Sequence, residues 1–174
     1  MDELYANISS EKRKSLKRAE KDNLSIQLCM DNHKIKKLIG KTFDRKQKSV
    51  NDKLLYKILF EFARPQNSFT FVANNNDESI ACAFCVYDIN CCYYLFGGYD
   101  SQSKHHGAGV SAMWNAILYA KEKGIKVFDF EGSMLPEVEK YFREFGGTIT
   151  PYYSIRKTSL PIEIGLKLIK RKVF

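Results

Sequence analysis

The residues best suited to chemistry lie together at Lys104-His105-His106-Gly107-Ala108-Gly109. They follow an apolar, strand-like run and open a segment of helical periodicity. Glycines at such a junction let the backbone turn tightly and present its N–H groups outward. The first turn of the next helix adds unpaired donors and a positive dipole end. Together these make a cradle for a pyrophosphate, to which Lys104, His105 and His106 could add charge. The loop is not a nucleotide P-loop, because no G-K-[ST] follows. Nor does it complete the dinucleotide fingerprint, since position 112 is alanine. A second constellation is Asp129 and Glu131. Two apart on a strand they would share one face, with Phe128 and Phe130 turned the other way. A carboxylate at the C-terminal end of a strand can act as general base or orient an amine.

The elements needed to position these groups are legible from periodicity. Ser9-Ser10 caps a polar, basic helix over 11–22. It has few apolar residues and needs a partner to hold it. Residues 24–28 alternate as a strand. Asp31 or Asn32 starts a helix with Ile35, Leu38, Ile39 and Phe43 inward, and His33 sits at its surface-exposed beginning. A second helix runs from Asn51 with Leu54, Leu55, Ile58, Leu59, Phe62 and Ala63 on its apolar face, until Pro65 stops it. Strands follow at 68–73, 79–89 and 91–97, a meander by their tight turns. The helix after Gly109 places Val110, Met113, Trp114, Ile117 and Leu118 on one face, with Trp114 in the core. A strand over 125–130 comes next, then a helix from Pro136 with Val138, Tyr141, Phe142 and Phe145 inward. A last strand over 148–155 and a short basic helix from Pro161 complete the order β-α-α-β-β-β-α-β-α-β. The strand–helix–strand unit from 91 to 130 should be a crossover with parallel strands. The fold class is therefore α/β, a mixed, mostly antiparallel sheet with helices on both faces.

Composition narrows the class further. The 174 residues carry a formal net charge of +8, with 44% hydrophobic residues, which suits a packed globular domain. No run of 18 apolar residues offers a transmembrane segment, and the acidic start at Asp2-Glu3 does not resemble a signal peptide. Five cysteines without such a signal suit a reducing, cytoplasmic setting. Cys82 and Cys85 are spaced as C-x-x-C, but inside a strand they face opposite sides, so core thiols are expected and no metal. Basic charge is concentrated at 33–57, with nine Lys/Arg against two Asp, and at 156–174, with six against one Glu. That suits an anionic partner such as a phosphorylated cofactor, tRNA, an anionic membrane surface or glycan, or a solvated surface with none.

The order of elements and the Lys104–Gly109 loop resemble the GNAT acyltransferases, whose loop of the form Arg/Gln-x-x-Gly-x-Gly/Ala at this junction holds the pyrophosphate of coenzyme A. Lys104, Gly107 and Gly109 fall on those positions, and Lys104 departs from the pattern in type. Three further stretches resemble the FemAB-like branch, in particular its C-terminal acyltransferase half: the basic helix 12–21, Val127–Ser133 followed by Tyr141–Gly147, and Pro151-Tyr152-Tyr153. The resemblance covers about 11–158. It implies an entry helix over 1–22, a GNAT-like domain over 23–158 and a basic C-terminal helix over 159–174. It also implies transfer of an acyl group from acyl-CoA, or an aminoacyl group from aminoacyl-tRNA, to an amine acceptor. The acceptor would be a small molecule, an amino sugar or a peptidoglycan precursor. FemAB-like proteins have two such halves, so a homodimer is one way a single half could be completed. A GNAT-like module without turnover, binding nucleic acid, a membrane or a protein through its basic surface, is the alternative.

The resemblance also assigns roles. Lys104, His105, His106, Gly107, Ala108 and Gly109 would bind the cofactor, and backbone N–H groups of the strand from Tyr93 to Tyr99 would stabilise the oxyanion. The family's tyrosine acid, aligned on Gly146, falls on Phe142. Tyr141 is one residue off and turned about 100° away on a helix, which leaves Tyr99, His105 or His106 as substitutes. Asp129, Glu131 and Tyr99 are thus the catalytic candidates. Arg13, Lys14, Lys17 and Tyr141 are the candidates for substrate contacts.

Overall fold

The computed structural model describes residues 2–45, 51–132 and 135–151. Its centre is a five-stranded sheet in sequential order: β1 (Ser25–Leu28), β2 (Ser68–Asn75), β3 (Glu78–Tyr87), β4 (Cys91–Tyr99) and β5 (Val127–Asp129). The first four strands are antiparallel neighbours, and β5 runs parallel to β4. The parallel pair is joined through α5 (Ala108–Glu122), as the spacing of the strand–helix–strand unit predicts.

Two glycines at the end of β4 set how closely the layers meet. A Cβ on Gly98 would stand 2.6 Å from Cys82 Sγ and 2.7 Å from the backbone carbon of Leu38, so its absence lets α3 (Asn32–Arg45) lie directly on the sheet. On the opposite face a Cβ on Gly97 would stand 2.0 Å from the Tyr94 hydroxyl, so Tyr94 folds over bare backbone. α3 is then pinned to the end of β4 twice. The Tyr99 N–H donates to Thr42 Oγ1 at 2.7 Å, and Lys41 pairs with the buried carboxylate of Asp100. Asp31, not Asn32, caps α3, accepting from the N–H groups of His33 and Lys34.

One face of the sheet buries Val72, Cys82 and Phe84 beneath α3 and α4 (Asp52–Tyr56). α4 starts where expected, with Asn51 capping it, but the helix widens into a π-helical turn over Lys57–Phe62. The extra residue in that turn rotates the stripe read from α-helical spacing. Leu55 and Leu59 are buried, whereas Leu54 and Phe62 are each 53% exposed, contrary to the expected face. The other face of the sheet buries Phe71, Ala73, Ala81, Ala83 and Cys85 beneath α5. The helix meets them with Ala108, Ala112, Ala116 and Ala120, spaced four apart and small enough to bring the backbones close. Cys82 and Cys85 do face opposite sides, and burial pushes the Cys82 thiol up to about 12.

The larger stripe of α5, with Val110, Met113, Trp114 and Ile117, is buried in a separate cluster that reaches the sheet only at Tyr94 and Phe128. It packs against Ile8, Leu16 and Phe145, residues of the N-terminal segments and the end of α6 (Pro136–Arg143). The sequence reading missed α1 (Asp2–Asn7), a helix too short for periodicity to reveal, whose Tyr5 ring meets Trp114 edge-on at 6.2 Å. The polar helix α2 (Ser10–Lys21), capped by Ser9, finds its partner on α5. Ala19 is buried there, and a Cβ on Gly107 would lie 2.5 Å from the Ser15 carbonyl oxygen. Residues 148–151 form no strand among the described residues. The rest of the expected last strand and the helix from Pro161 lie outside them.

Two outcomes test this packing. Gly107→Ala should cost about 1–3 kcal/mol in urea denaturation, because backbone, not a flexible side chain, blocks the new methyl. Asp100→Asn should lower the denaturation midpoint at neutral pH. Lys41, then the Gln102 N–H, hold the Asp100 carboxyl below its usual range. Its contribution is therefore present above the ordinary carboxylate pKa and lost as pH falls through the depressed one. The acid limb of stability against pH should be shallower in the variant.

Candidate functional site

The pairing of β4 with β5 covers only Cys91–Tyr93 against Val127–Asp129. Beyond Tyr93, β4 runs on to Tyr99 with no strand on that side among the described residues. An irregularity lies where the strands part. Opposite β3, the register jumps from Phe96 across Phe84 to Tyr94 across Cys85, leaving Leu95 as an extra, bulged residue. A parted strand with a bulge leaves an edge of backbone N–H groups facing a gap.

Three elements close around that gap. β4 supplies Tyr94, lying over Gly97. The α5 start supplies Gly109, where a Cβ would meet nothing within 4 Å except the Tyr141 hydroxyl at 4.0 Å. The third, α6, supplies Tyr141 and Phe142. Phe142 stacks on Phe130 at 5.3 Å and meets Tyr94 edge-on at 5.8 Å. Neither tyrosine hydroxyl has a hydrogen-bond partner among the described residues. Burial pushes the Tyr94 hydroxyl well above the usual phenol range, with Tyr141 adding to the effect. Desolvation, then Glu144, raises Tyr141 as well. Both are held protonated at neutral pH. In the first turn of α5, the Ser111 N–H bonds back to Gly107 O and the Ala108 N–H to His105 O. The N–H groups of Gly109 and Val110 have no acceptor among the described residues.

The loop residues divide into two groups. Lys104, with a left-handed φ of 51°, and His106 are exposed, while Gly109 and the buried Ala108 carry the helix start. Gly107 and His105 serve the fold instead. The Gly107 N–H donates to His105 Nδ1 at 3.2 Å, and His105 Nε2 faces Asp22 Oδ2 of the α2–β1 turn at 3.2 Å. The ring that sequence offered as a phosphate ligand thus ties the loop to the end of α2. The glycine offered for phosphate approach is the one α2 leans on.

The carboxylates also differ from expectation. β5 ends at Asp129, so Glu131 does not share its strand face. Glu131 takes a left-handed φ of 61°, and its N–H donates to Asp129 Oδ1 at 2.7 Å. Asp129 is exposed at the strand end, and its second oxygen has no hydrogen-bond partner among the described residues. Tyr99 stands on the face of Tyr94 and Gly97, with the Arg45 guanidinium 5.6 Å from its ring centre.

Among the basic candidates on α2, Arg13 is structural: its guanidinium donates to the carbonyls of Tyr5 and Ala6 at the end of α1. Lys14 and Lys17 are exposed. The helix residue that does reach the site is Lys12, which the sequence reading did not single out. It is 6% exposed, 3.1 Å from Glu144 Oε2 and 3.6 Å from the centre of the Tyr141 ring. Spacing gave a hint, since positions 12, 16 and 19 share the face that carries Leu16 and Ala19. Nothing in the lysine itself marked it.

A separate groove of about 380 Å3 follows α3, with Lys34, Lys37 and Lys41 on one wall and Asp77 and Glu78 of the β2–β3 turn on the other. The basic stripe of α3 therefore faces opposite charge rather than forming one continuous positive surface.

No curated protein matches the sequence. Among solved structures, FemX shares the fold with a TM-score of 0.72 at 12% identity over 83% of this chain, which spans 55% of FemX. A possible acetyltransferase from Clostridium difficile 630 superposes with a TM-score of 0.61 at 13% identity, covering 79% of this chain and 98% of that one. Aminoglycoside acetyltransferase AAC(6')-Iy, bound to a CoA-containing bisubstrate analogue, gives 0.60 at 11% identity, covering 78% and 98%. No helix among the described residues is long and apolar enough to cross a membrane. The family model for the acetyltransferase (GNAT) domain matches residues 8–143, so the chain, with its parted β4 and β5 and its helix start beside the gap, belongs to the GNAT acetyltransferase family.

Proposed function

We propose that this domain transfers an acyl group from acyl-CoA to the amine of a small-molecule acceptor. One observation carries the reading: β4 leaves β5 after Tyr93, beside a helix start whose Gly109 and Val110 N–H groups are unpaired. A donor whose pyrophosphate caps that start, with Lys104 and His106 at its rim, can extend its thioester arm along the free edge of β4. The N–H groups of that edge then meet the carbonyl oxygen as it gains charge. The amine nitrogen attacks the carbonyl carbon, and Asp129, through its free oxygen, accepts the amine proton. The C–S bond breaks as the sulfur takes a proton from the Tyr141 hydroxyl. Solvent carries the proton held on Asp129 back to the phenolate, and the site is restored. Tyr141 takes the proton-donor role because Phe142, on which the family's tyrosine acid falls, carries no ionisable proton. Tyr99, at the end of β4, and Glu131, just past β5, serve as acceptor contacts.

The donor class is tested by calorimetry with coenzyme A and acetyl-CoA. Saturable binding is expected for the wild type. It should be lost in Gly109→Val, whose side chain meets little protein but covers the free N–H groups, while thermal stability changes little. Binding of an aminoacyl-tRNA in place of coenzyme A and acetyl-CoA would move the donor to an ester and overturn the coenzyme A assignment. In turnover with an amine acceptor, Tyr141→Phe and Asp129→Asn should each lower kcat by about a hundredfold, with donor affinity retained. Wild-type kcat in either variant would remove that residue from the proton transfers.

A further inference from the structure

Lysine is seldom buried, and Lys12 is nearly so. Its neighbours Lys14 and Lys17 are exposed in the ordinary way. The ammonium is held by the Glu144 carboxylate at 3.1 Å and lies against two ring faces, 3.6 Å from the centre of Tyr141 and 5.1 Å from that of Phe145. α2 is fixed in place for this contact, because the Ser9 N–H donates to the Glu144 carbonyl at 2.8 Å. A methionine of similar length would fill the site without desolvating a charge. What the charge adds is its field on the phenol.

We propose that Lys12 is a positioning residue for the Tyr141 hydroxyl, holding the ring so that the hydroxyl faces Gly109 and stabilising the phenolate that forms when its proton leaves. The proposal rests on the reading of Tyr141 as proton donor and adds α2, which precedes the sheet, to the working site. The chemistry is that of a cation on an aromatic face. Burial, then the Glu144 carboxylate, oppose loss of the Tyr141 proton; the ammonium, 3.6 Å from the ring centre, would offset them. Among the described residues, the ionisable groups that act on this pair are Glu144, just past α6, on both, Glu11 of α2 on Lys12, and Tyr94 of β4 beside Tyr141. The first two turns of α5 carry none. Burial lowers the Lys12 pKa against the pull of Glu144 and Glu11, so the ammonium is lost at a lower pH than from a free lysine. Proton donation by Tyr141 should weaken over the same range.

The test uses the full chain labelled with 13C at tyrosine Cζ, with Tyr141 assigned by its absence in Tyr141→Phe. The Tyr141 resonance should step with pH as Lys12 loses its proton, below the ordinary lysine range. Lys12→Arg should abolish the step while keeping the neutral-pH position. Lys12→Met should show at neutral pH the shift that the wild type reaches only after Lys12 deprotonates. In turnover with acetyl-CoA, Lys12→Met should lower kcat by about tenfold without changing donor KM. Lys12→Arg should restore kcat and remove the alkaline fall. A Tyr141 signal indifferent to Lys12, or a Lys12→Met enzyme with wild-type kcat and pH profile, would overturn the proposal. Should Lys12→Met fail to fold, the wild-type and Lys12→Arg titrations decide. These spectra need neither donor nor acceptor, so they separate failure of the coupling from failure of the coenzyme A reading.

Discussion

Close approach of backbone to backbone at the end of β4 governs the rest of this structure. At Gly98 the missing side chain brings α3 onto the sheet, and at Gly97 it leaves room for Tyr94 on the other face. Strand and helix are then locked together by the Thr42 hydroxyl on the Tyr99 N–H and by Lys41 on Asp100. These contacts fix the direction in which β4 leaves its neighbour β5. Because sheet pairing is local, a strand held rigidly by β3 and α3 need not follow β5 to its end. The gap and its free N–H edge result.

A second close approach governs the helix layer. α2 has too few apolar residues to dock by hydrophobic area alone. It docks instead by shape, with its Ser15 carbonyl against Gly107 and Ala19 beside it, and by polar ties at both ends. Ser9 reaches the Glu144 carbonyl, and Asp22 faces His105. Arg18, then His105, keeps the Asp22 carboxyl below its usual range. The loop that opens α5 is therefore shaped from outside by α2. Just beyond it, Gly109 and Val110 lie in the first turn of the helix. This shaping by α2 explains two histidines in one loop with different fates, one enclosed against α2 and one exposed.

Much of this organisation was legible in the sequence. Alternation marked β1, apolar runs between tight turns marked β2, β3 and β4, and the crossover to β5 followed from strand–helix–strand spacing. The cap at Ser9 was readable because a side-chain oxygen before a helix satisfies N–H groups whatever the tertiary setting. The π-helical turn after Tyr56 was not readable, since its winding answers to packing, with Leu59 buried and its carbonyl accepting from Asn32. The helix α1 was also missed, because six residues show too little periodicity, and only Trp114 gives them a place to bury Tyr5.

For the site, the sequence by itself determined the chemical inventory and its order: a glycine-containing helix start after a strand, a carboxylate at the end of the next strand, and a tyrosine in the helix that follows. It did so because covalent spacing limits which residues can share a loop or a helix face. Only the tertiary structure decided where each of these groups stands and what it touches. It gave Gly107, His105 and Arg13 to packing, and left Gly109 and Tyr141 beside the gap. It also brought Lys12 to Tyr141 across more than a hundred residues of chain. A charge can be buried only where a partner from elsewhere in the fold meets it, and no local pattern records that meeting.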